Sequence, residues 1–562
     1  MFACARTAFL ALAFLSVFVV LTGCSAKHYK ESADKQVYEI LRKKHEMLFG
    51  SEEIYEIEQI ARDPMADLPR AEKPILEAPE HLRPFEEPPL IISLEKALEI
   101  GIYNSRDYQS EKEDVYLSAL SLTEKRHEFS TQFSGIISSF WNKRSGDETY
   151  KAEGGFSISK LLKTGATIGL NLSTEFLRHL TGDPARTAAS VLAVEVIQPL
   201  WRGAGRRVAT ENLEQAERDV VYIIRSFARY KKTFTVNIAS SYYRVLQQRD
   251  VVRNELSNYN NLMVARDRAE MMAQAGRLPE FQVDQARQDE LRAKDRWISA
   301  LQSYYELLDN FKIDLGLPTD ANVDLDDADL QKLVESGITH PEMSAGDAVA
   351  LALENRLDLK NSEDSVIDIE RKVVVAKNSL GADVSLVFET NVTTKPQTRF
   401  AEFRFDQATW SAGLDLDLPF DRLSERNDYR TALISLARVQ RNYGLEVDNV
   451  KLSVRQAWRA LQQARESYEI QKISLTLAKR RVDSTTLLLQ AGRADTRDLL
   501  ESQDALLEAQ NALVRALTDH TLARLRFYRD IGTFNVDGKG LWQETQNTNE
   551  PTESDKTENN AG

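Results

Sequence analysis

The sequence has few of the residues on which small secreted domains, metal proteins and loop-built enzymes rely. It holds two cysteines, Cys4 and Cys24, both in the first 24 residues. That excludes a disulfide framework and a cysteine-based metal site in the remaining chain. Glycine (24) and proline (15) are sparse for 562 residues, a composition suited to long helices. Past the N-terminus there is no run of the roughly 20 apolar residues that a membrane-crossing helix needs, which excludes a polytopic helical membrane protein. Basic charge is in deficit, with 72 Lys and Arg against 86 Asp and Glu, a net charge of −14. Nucleic acid is therefore not an expected partner. The seven histidines are scattered, and no HExxH, phosphate-loop or GxSxG motif occurs. The chain reads as a non-enzyme with no metal or cofactor. Mean hydropathy is −0.41, as in a water-soluble protein. With 18 Tyr and 22 Phe there is nonetheless enough to fill a core, which argues against bulk disorder.

The N-terminus carries its own signal. Arg6 precedes an apolar stretch from Ala8 to Leu21, followed by Leu21-Thr22-Gly23-Cys24. This resembles a secretory signal with a bacterial lipobox. Cleavage before Cys24 would leave that residue as the lipid attachment point, with several acyl chains for stable anchoring. Ser25 in place of Asp favours the outer membrane. A short helix is expected over Ser32 to Leu48. Pro64, Pro69, Pro74, Pro79, Pro84, Pro88 and Pro89 then make an extended linker.

The body repeats. Met271 to Gly316 aligns without a gap on Leu487 to Gly532, with 11 identities in 46 positions. Among them are the Gln-Ala-Gly-Arg segments ending at Arg277 and Arg493, and the pairs Phe311/Phe527, Asp314/Asp530 and Gly316/Gly532. Ser93, Ala97, Asn104 and Asp107 likewise match Ser344, Ala348, Asn355 and Asp358. Two copies make a duplicated fold, since an open solenoid needs about three or more. The division expected is a signal peptide (1–23), a lipid-anchored extension with the linker (24–90), a first repeat (91–335), a second repeat (336–535) and a disordered acidic tail (536–562).

Each repeat reads as helix, strands, long helix, turn, helix. Helical runs are expected over Ser93 to His127, Gly205 to Ala275 and Pro279 to Leu315. Their counterparts are Ser344 to Leu380, Leu423 to Ala491 and Asp495 to Ile531. A run of about 70 residues spans about 105 Å at 1.5 Å per residue. Its many Ala, Gln and Arg suit side-by-side, coiled-coil packing. Gly276 and Gly492 stand where each long helix must stop, the expected place for glycine.

The strands, at about 128–200 and 383–420, alternate strictly. In Trp410 to Phe420, Trp410, Ala412, Leu414 and Leu416 oppose Ser411, Gly413, Asp415 and Asp417. Val384 to Thr394, Ala166 to Leu177 and Phe129 to Trp141 do the same. Such ten-residue segments suit a transmembrane β-barrel with a wet lumen, or a soluble antiparallel sheet with one solvated face; the lipobox favours the barrel. An insertion over Gly146 to Pro184 holds two strands joined near Lys163-Thr164-Gly165, so each chain supplies either four strands or six. Pro199, Gly203 and Gly205, in Gln198-Pro199-Leu200-Trp201-Arg202-Gly203-Ala204-Gly205-Arg206, mark a strand-to-helix joint. Pro419, in Leu418-Pro419-Phe420-Asp421, marks its counterpart.

The duplication, the two joints, the Gln-Ala-Gly-Arg tips and the closing Asp-Leu-Gly and Asp-Ile-Gly together resemble the outer membrane factor (TolC-like) family of efflux and secretion channels, over residues 91–535. The resemblance implies a mainly α fold with membrane β: a homotrimer sharing one transmembrane β-barrel and one long periplasmic α-helical barrel. It implies docking of a periplasmic adaptor protein at tips Ala275-Gly276-Arg277 and Ala491-Gly492-Arg493. Through the adaptor it implies an inner-membrane transporter of the RND, ABC or MFS class. It places Asp498 and Glu501 where the family carries acidic residues that ring the closed aperture, although the second is Glu where Asp is more typical. The first-half equivalents, Gln282 and Gln285, supply no charge. Location in the outer membrane, in contact with its lipid, follows from the same likeness. The alternative is a periplasmic coiled-coil structural lipoprotein without a channel, against which the alternating strands speak.

Overall fold

The structure is a computed structural model. It describes residues 25–53, 55, 57, 89–144, 147–179, 186–395, 401–418, 420–491, 493–537, 540 and 542–543. The signal peptide and Cys24, most of the proline-rich linker, Pro419, Gly492 and the tail after residue 543 lie outside the described residues. The chain falls into two compact units, within Met1–Glu56, Asp114–Ile224 and Ser362–Tyr443, and within Ile57–Glu113, Arg225–Asn361 and Gly444–Gly562. The described elements run α1 (Ala26–Phe49), β1 (Leu90–Ile92), α2 (Leu94–Asn104), α3 (Arg106–Glu128), β2 (Thr131–Arg144), β3 (Asp147–Leu161), β4 (Thr167–His179), β5 (Arg186–Pro199), α4 (Arg206–Ala209), α5 (Glu211–Gln274) and α6 (Glu280–Asp314). They continue with β6 (Val323–Leu325), α7 (Asp327–Ser336), α8 (Ala345–Asn355), α9 (Leu357–Ser379), β7 (Asp383–Thr393), β8 (Thr409–Asp417), α10 (Leu423–Gln490), α11 (Thr496–Ile531), β9 (Asn535–Val536) and β10 (Trp542–Gln543).

The first unit is organised by one six-stranded sheet in the order β2-β3-β4-β5-β7-β8. Every neighbouring pair is antiparallel. Among the described residues the first repeat supplies four strands of this sheet and the second two, six in all. The ladder from Val191↔Thr393 to Pro199↔Ser385 joins the two repeats into one sheet.

In the same unit α1 begins at Ala26, earlier than the composition suggests, because the Ser25 side chain accepts from the His28 N–H and caps it. It buries Val37, Ile40, Leu41 and His45. Its Asp34 accepts a hydrogen bond from Tyr116 of α3 (2.6 Å). Ten residues on along both helices, Lys44 shares Glu217 with Arg126 (2.6 and 2.5 Å). The two helices are therefore parallel, and the α1 end at Phe49 is the one nearer β2.

The second unit shows why the repeat motifs recur. Ser93 caps α2 and Ser344 caps α8, each hydroxyl accepting from the N–H three residues on. The helical runs expected from Ser93 and Ser344 are not continuous. Each breaks after its eleventh residue, at Ser105 and at Arg356, where the backbone turns extended. The reason lies across the fold. Gly316, at φ +75°, approaches Asn104 so closely that a Cβ would stand 2.1 Å from the Asn104 carbonyl oxygen. Gly532, at φ +84°, makes the equivalent approach to Asn355, with a Cβ 3.0 Å from the Asn355 Cβ. One pair of repeated residues thus packs on the other, once per repeat. Lys232 closes the second instance by donating to the Gly532 carbonyl (3.1 Å).

Five short elements were not expected. β1 and β6 form a parallel pair from Leu90↔Val323 to Ile92↔Leu325. Helix α7 follows at once, its Asp326 side chain accepting from the Ala328 N–H. β9 and β10 pair antiparallel within the segment that composition marks as a disordered tail.

The two glycines give a graded expectation. In Gly316→Ala the new Cβ meets backbone at a left-handed position, whereas in Gly532→Ala it meets a side-chain carbon less closely. Each left-handed residue costs about 1–2 kcal/mol, and the backbone clash adds to the first. Thermal unfolding of the purified variants should show Gly316→Ala the less stable of the two; the reverse order would refute this account.

Candidate functional site

The sheet has two unlike faces, and the register aligns them across all six strands. Phe133, Ile137 and Trp141 of β2 continue through Ile158 and Phe156 of β3 and Leu170 and Leu172 of β4. The same face runs on through Leu192 and Val194 of β5, Leu386 and Phe388 of β7, and Leu414 and Trp410 of β8. The two edge strands leave large apolar groups in the open, with Ile137 83% and Trp410 74% exposed. An apolar face of this extent marks an interaction with lipid or protein. Among the described residues no helix is long and apolar enough to cross a membrane.

The opposite face carries the sheet's paired acids, although on β2 it also shows the exposed Ile136 and Phe140. Glu153 lies directly opposite Glu175, and Glu195 directly opposite Glu389. Lys151 sits beside the first pair, bound to Glu153 and 3.5 Å from Glu175. Asp415 and Asp417 extend the same face on β8. Like charges facing each other across a ladder destabilise it, so this face belongs in water with cations at hand.

The joint between sheet and helix is built from close backbone approaches. Past Pro199 the chain keeps pairing, with the Leu200 N–H donating to the Val384 carbonyl (2.7 Å). Gly203 (φ +74°) and Gly205 (φ +91°) then turn it into α4. The Gly203 N–H donates to the Asn378 side chain (2.8 Å), which donates in return to the Trp201 carbonyl (3.1 Å). The β3–β4 turn is fastened to the same place: the Gly205 N–H donates to the Thr164 carbonyl (3.1 Å). A Cβ on Gly165, at φ +93°, would stand 2.6 Å from the Gly203 carbonyl oxygen. Pro199, Gly203 and Gly205 are thus brought together. Asn378 and the close approach of Gly165 were missed, because nothing local announces a partner far off in sequence.

In the second unit the tips share one geometry. At the first, the Gly276 N–H donates to Ala273 (2.8 Å) and the Arg277 N–H to Met272 (2.9 Å), with Gly276 left-handed at φ +69°. At the second, the Arg493 N–H donates to Leu488 (2.9 Å), the residue matching Met272 in the repeat. This is the Schellman closure that glycine allows. Ala275, Gly276, Arg277, Ala491 and Arg493 are exposed.

Asp498 and Glu501 share a face of α11, but each has its own partner. The Asp498 carboxylate accepts the Asp495 N–H (3.0 Å) and so caps the helix. Glu501 accepts from Arg481 of α10 (2.9 Å), an exposed pair that contributes little to stability.

Sequence reading also missed a histidine pair. His340, between α7 and α8, meets His520 of α11 with Nδ1 and Nε2 3.3 Å apart, and Gln462 of α10 reaches His340 Nε2 (3.0 Å). Arg465 and Arg524 stand near, as do Glu342 and Glu466. Burial, then the neighbouring His340 and arginines, push His520 down to about 4. Burial, then Arg465, lowers His340. Among the described residues no three His, Cys, Asp or Glu side chains are grouped to hold a metal.

Comparison with known proteins agrees with this architecture. Residues 348–533 match the family model described as Outer membrane efflux protein. Among solved structures the chain is similar to the channel protein CusC, at 14% identity and a TM-score of 0.58, with 83% of this chain and 99% of that one covered. It is similar to the outer membrane channel CmeC of Campylobacter jejuni, at 13% identity and a TM-score of 0.58, covering 81% and 87%. It is also similar to the outer membrane protein VceC of Vibrio cholerae, at 13% identity and a TM-score of 0.58, covering 78% and 96%. No curated protein matches the sequence. The fold is that of the outer-membrane channels. The likeness to the outer membrane factors read from the motifs is borne out, and the stretch matched by the family model lies in the second repeat.

The histidine pair predicts a pH dependence. An unfolded histidine titrates near 6.5, whereas folded His520 titrates at about 4. Between those values the unfolded chain binds a proton that the folded one does not. Stability is therefore full above about pH 6.5 and falls as the pH drops towards 4. The unfolding temperature should decrease over that window, and His520→Gln should flatten the decrease. An unchanged slope in the variant would remove the pair from the account.

Proposed function

We propose that this chain is the outer-membrane channel component of a tripartite efflux or type I secretion system. In this reading three copies close their sheets into one β-barrel. The conduit carries solutes from an inner-membrane transporter and periplasmic adaptor across periplasm and outer membrane. The observation that carries the reading is the two-faced sheet. Its apolar face suits lipid and its acidic face suits a water-filled lumen. Its edges, β2 and β8, run in opposite directions, so the β8 edge of one copy can pair antiparallel with the β2 edge of the next. Backbone groups in lipid must be paired, and a sheet meets that demand only by closing. Closure by one chain would need a far more curved sheet than six strands supply.

The remaining assignments belong to the same proposal. Cys24 carries the lipid. The exposed turn Ala275-Gly276-Arg277, and Ala491 and Arg493 with Gly492 between them in sequence, receive the adaptor. Three copies each of Asp498 and Glu501 form an acidic constriction that binds cations. No enzymatic step is assigned.

Reconstitution into planar bilayers tests the reading. Discrete, cation-preferring conductance is expected, and Glu195→Gln with Glu389→Gln should lower the cation preference. A detergent-free, water-soluble monomer without conductance would instead favour the structural lipoprotein. For the constriction, Asp498→Ala with Glu501→Ala should raise conductance or weaken block by divalent cations, with circular dichroism confirming that the helices remain. Unchanged block would remove these two residues from the gate.

A further inference from the structure

The β3–β4 hairpin has two conceivable places, folded over the mouth of a narrower barrel or built into its wall. The geometry points to the wall: we infer that the assembled pore is an eighteen-stranded barrel, wide enough for polypeptide cargo two helices across. The inference rests on the three-copy channel proposed above and names the class of cargo that it admits.

Three observations place the hairpin in the wall. First, it spans the full height of the sheet. Its turn is tied to the sheet-to-helix joint, through the Gly205–Thr164 hydrogen bond and the approach of Gly165 to Gly203. β2 starts at the same level, three residues after α3 ends. Second, pairing is unbroken, from Thr131↔Lys160 to Arg144↔Asp147 on one side and from Thr149↔His179 to Leu161↔Thr167 on the other. These ladders exceed the roughly 9–11 residues a membrane strand needs. Third, the apolar face continues without interruption onto β2 and β3, where Phe133, Ile137 and Phe156 are exposed. A hairpin folded over a mouth would hold Phe156 in water.

The width follows from strand number. With strands about 4.8 Å apart and tilted about 40°, eighteen give a barrel about 36 Å across between backbones, and twelve give about 24 Å. Side chains from both walls narrow these to about 26 and 14 Å. A single helix with its side chains is about 10–12 Å wide. The wider bore passes two helices side by side; the narrower passes one. Barrels of sixteen to eighteen strands keep an aqueous channel, in keeping with the acidic face.

Electron microscopy of the full-length protein in lipid nanodiscs tests this directly. The expected result is a three-fold particle whose membrane section shows eighteen strands and a backbone diameter of about 36 Å. A three-fold particle with twelve strands and the hairpin outside the wall would overturn the inference and leave the channel standing. A particle without a closed ring would overturn both. Polyethylene glycol added to the extracellular side of bilayer-inserted protein gives an independent reading. Polymers about 10 Å in radius should enter the barrel and lower its conductance, whereas a bore about 14 Å wide would exclude them.

Discussion

The ladder between β5 and β7 holds the two repeats to a common purpose. Nine backbone pairs, from Val191↔Thr393 to Pro199↔Ser385, turn a four-stranded and a two-stranded piece into one sheet. Beyond the ladder, the Ser190 N–H donates to the Thr394 hydroxyl (2.9 Å) and the Thr394 N–H to the Ser190 carbonyl (3.0 Å). Because side chains alternate with a period of two, this register decides which face every strand presents. A slip by one residue would turn Leu386 and Phe388 onto the face of Glu195. The joint responds to the same constraint. Where the ladder ends, Leu200 and Arg202 still pair with Val384 and Ala382, so the first turns of α4 and the last of α9 are set by strand pairing.

Much of this was legible in the sequence. β2, β3, β4, β7 and β8 each contain a stretch whose alternation separates oil from water. β5 is less plain, since Ala189, Val191 and Ala193 oppose Ala188, Leu192 and Val194, and both faces look apolar. The tips were legible because the left-handed turn that ends a helix selects glycine locally. Breaks at Ser105 and Arg356 were not, since their cause is a glycine about 200 residues away. His340 and His520 were not for the same reason: 180 residues separate them, and only the packing of α11 brings them together. The number of strands turned on the anchoring of the Gly165 turn, a contact between backbones that leaves no compositional mark beyond one glycine.

The duplication is uneven in a telling way. Helix breaks, caps, closing glycines and tips all occur twice, with matching hydrogen bonds. Among the described residues the large sheet takes four strands from one repeat and two from the other. The helical part of the chain thus keeps an approximate two-fold equivalence that the sheet has lost. The inserted pair enlarges the sheet without disturbing the helices, because two added strands return the chain to the rim from which it left.

Helix α1 has a direction as well as a seat. It runs parallel to α3, and α3 ends where β2 begins. Measured along the two helices at 1.5 Å per residue, the start of α1 lies about 30 Å short of the sheet. Only Ser25 separates that end from Cys24. In a lipidated chain the acyl groups would therefore be tethered at the end of α1 remote from the apolar sheet. The docked helix, held through Asp34, Lys44 and four buried side chains, thus sets how far from the sheet the chain enters the folded body.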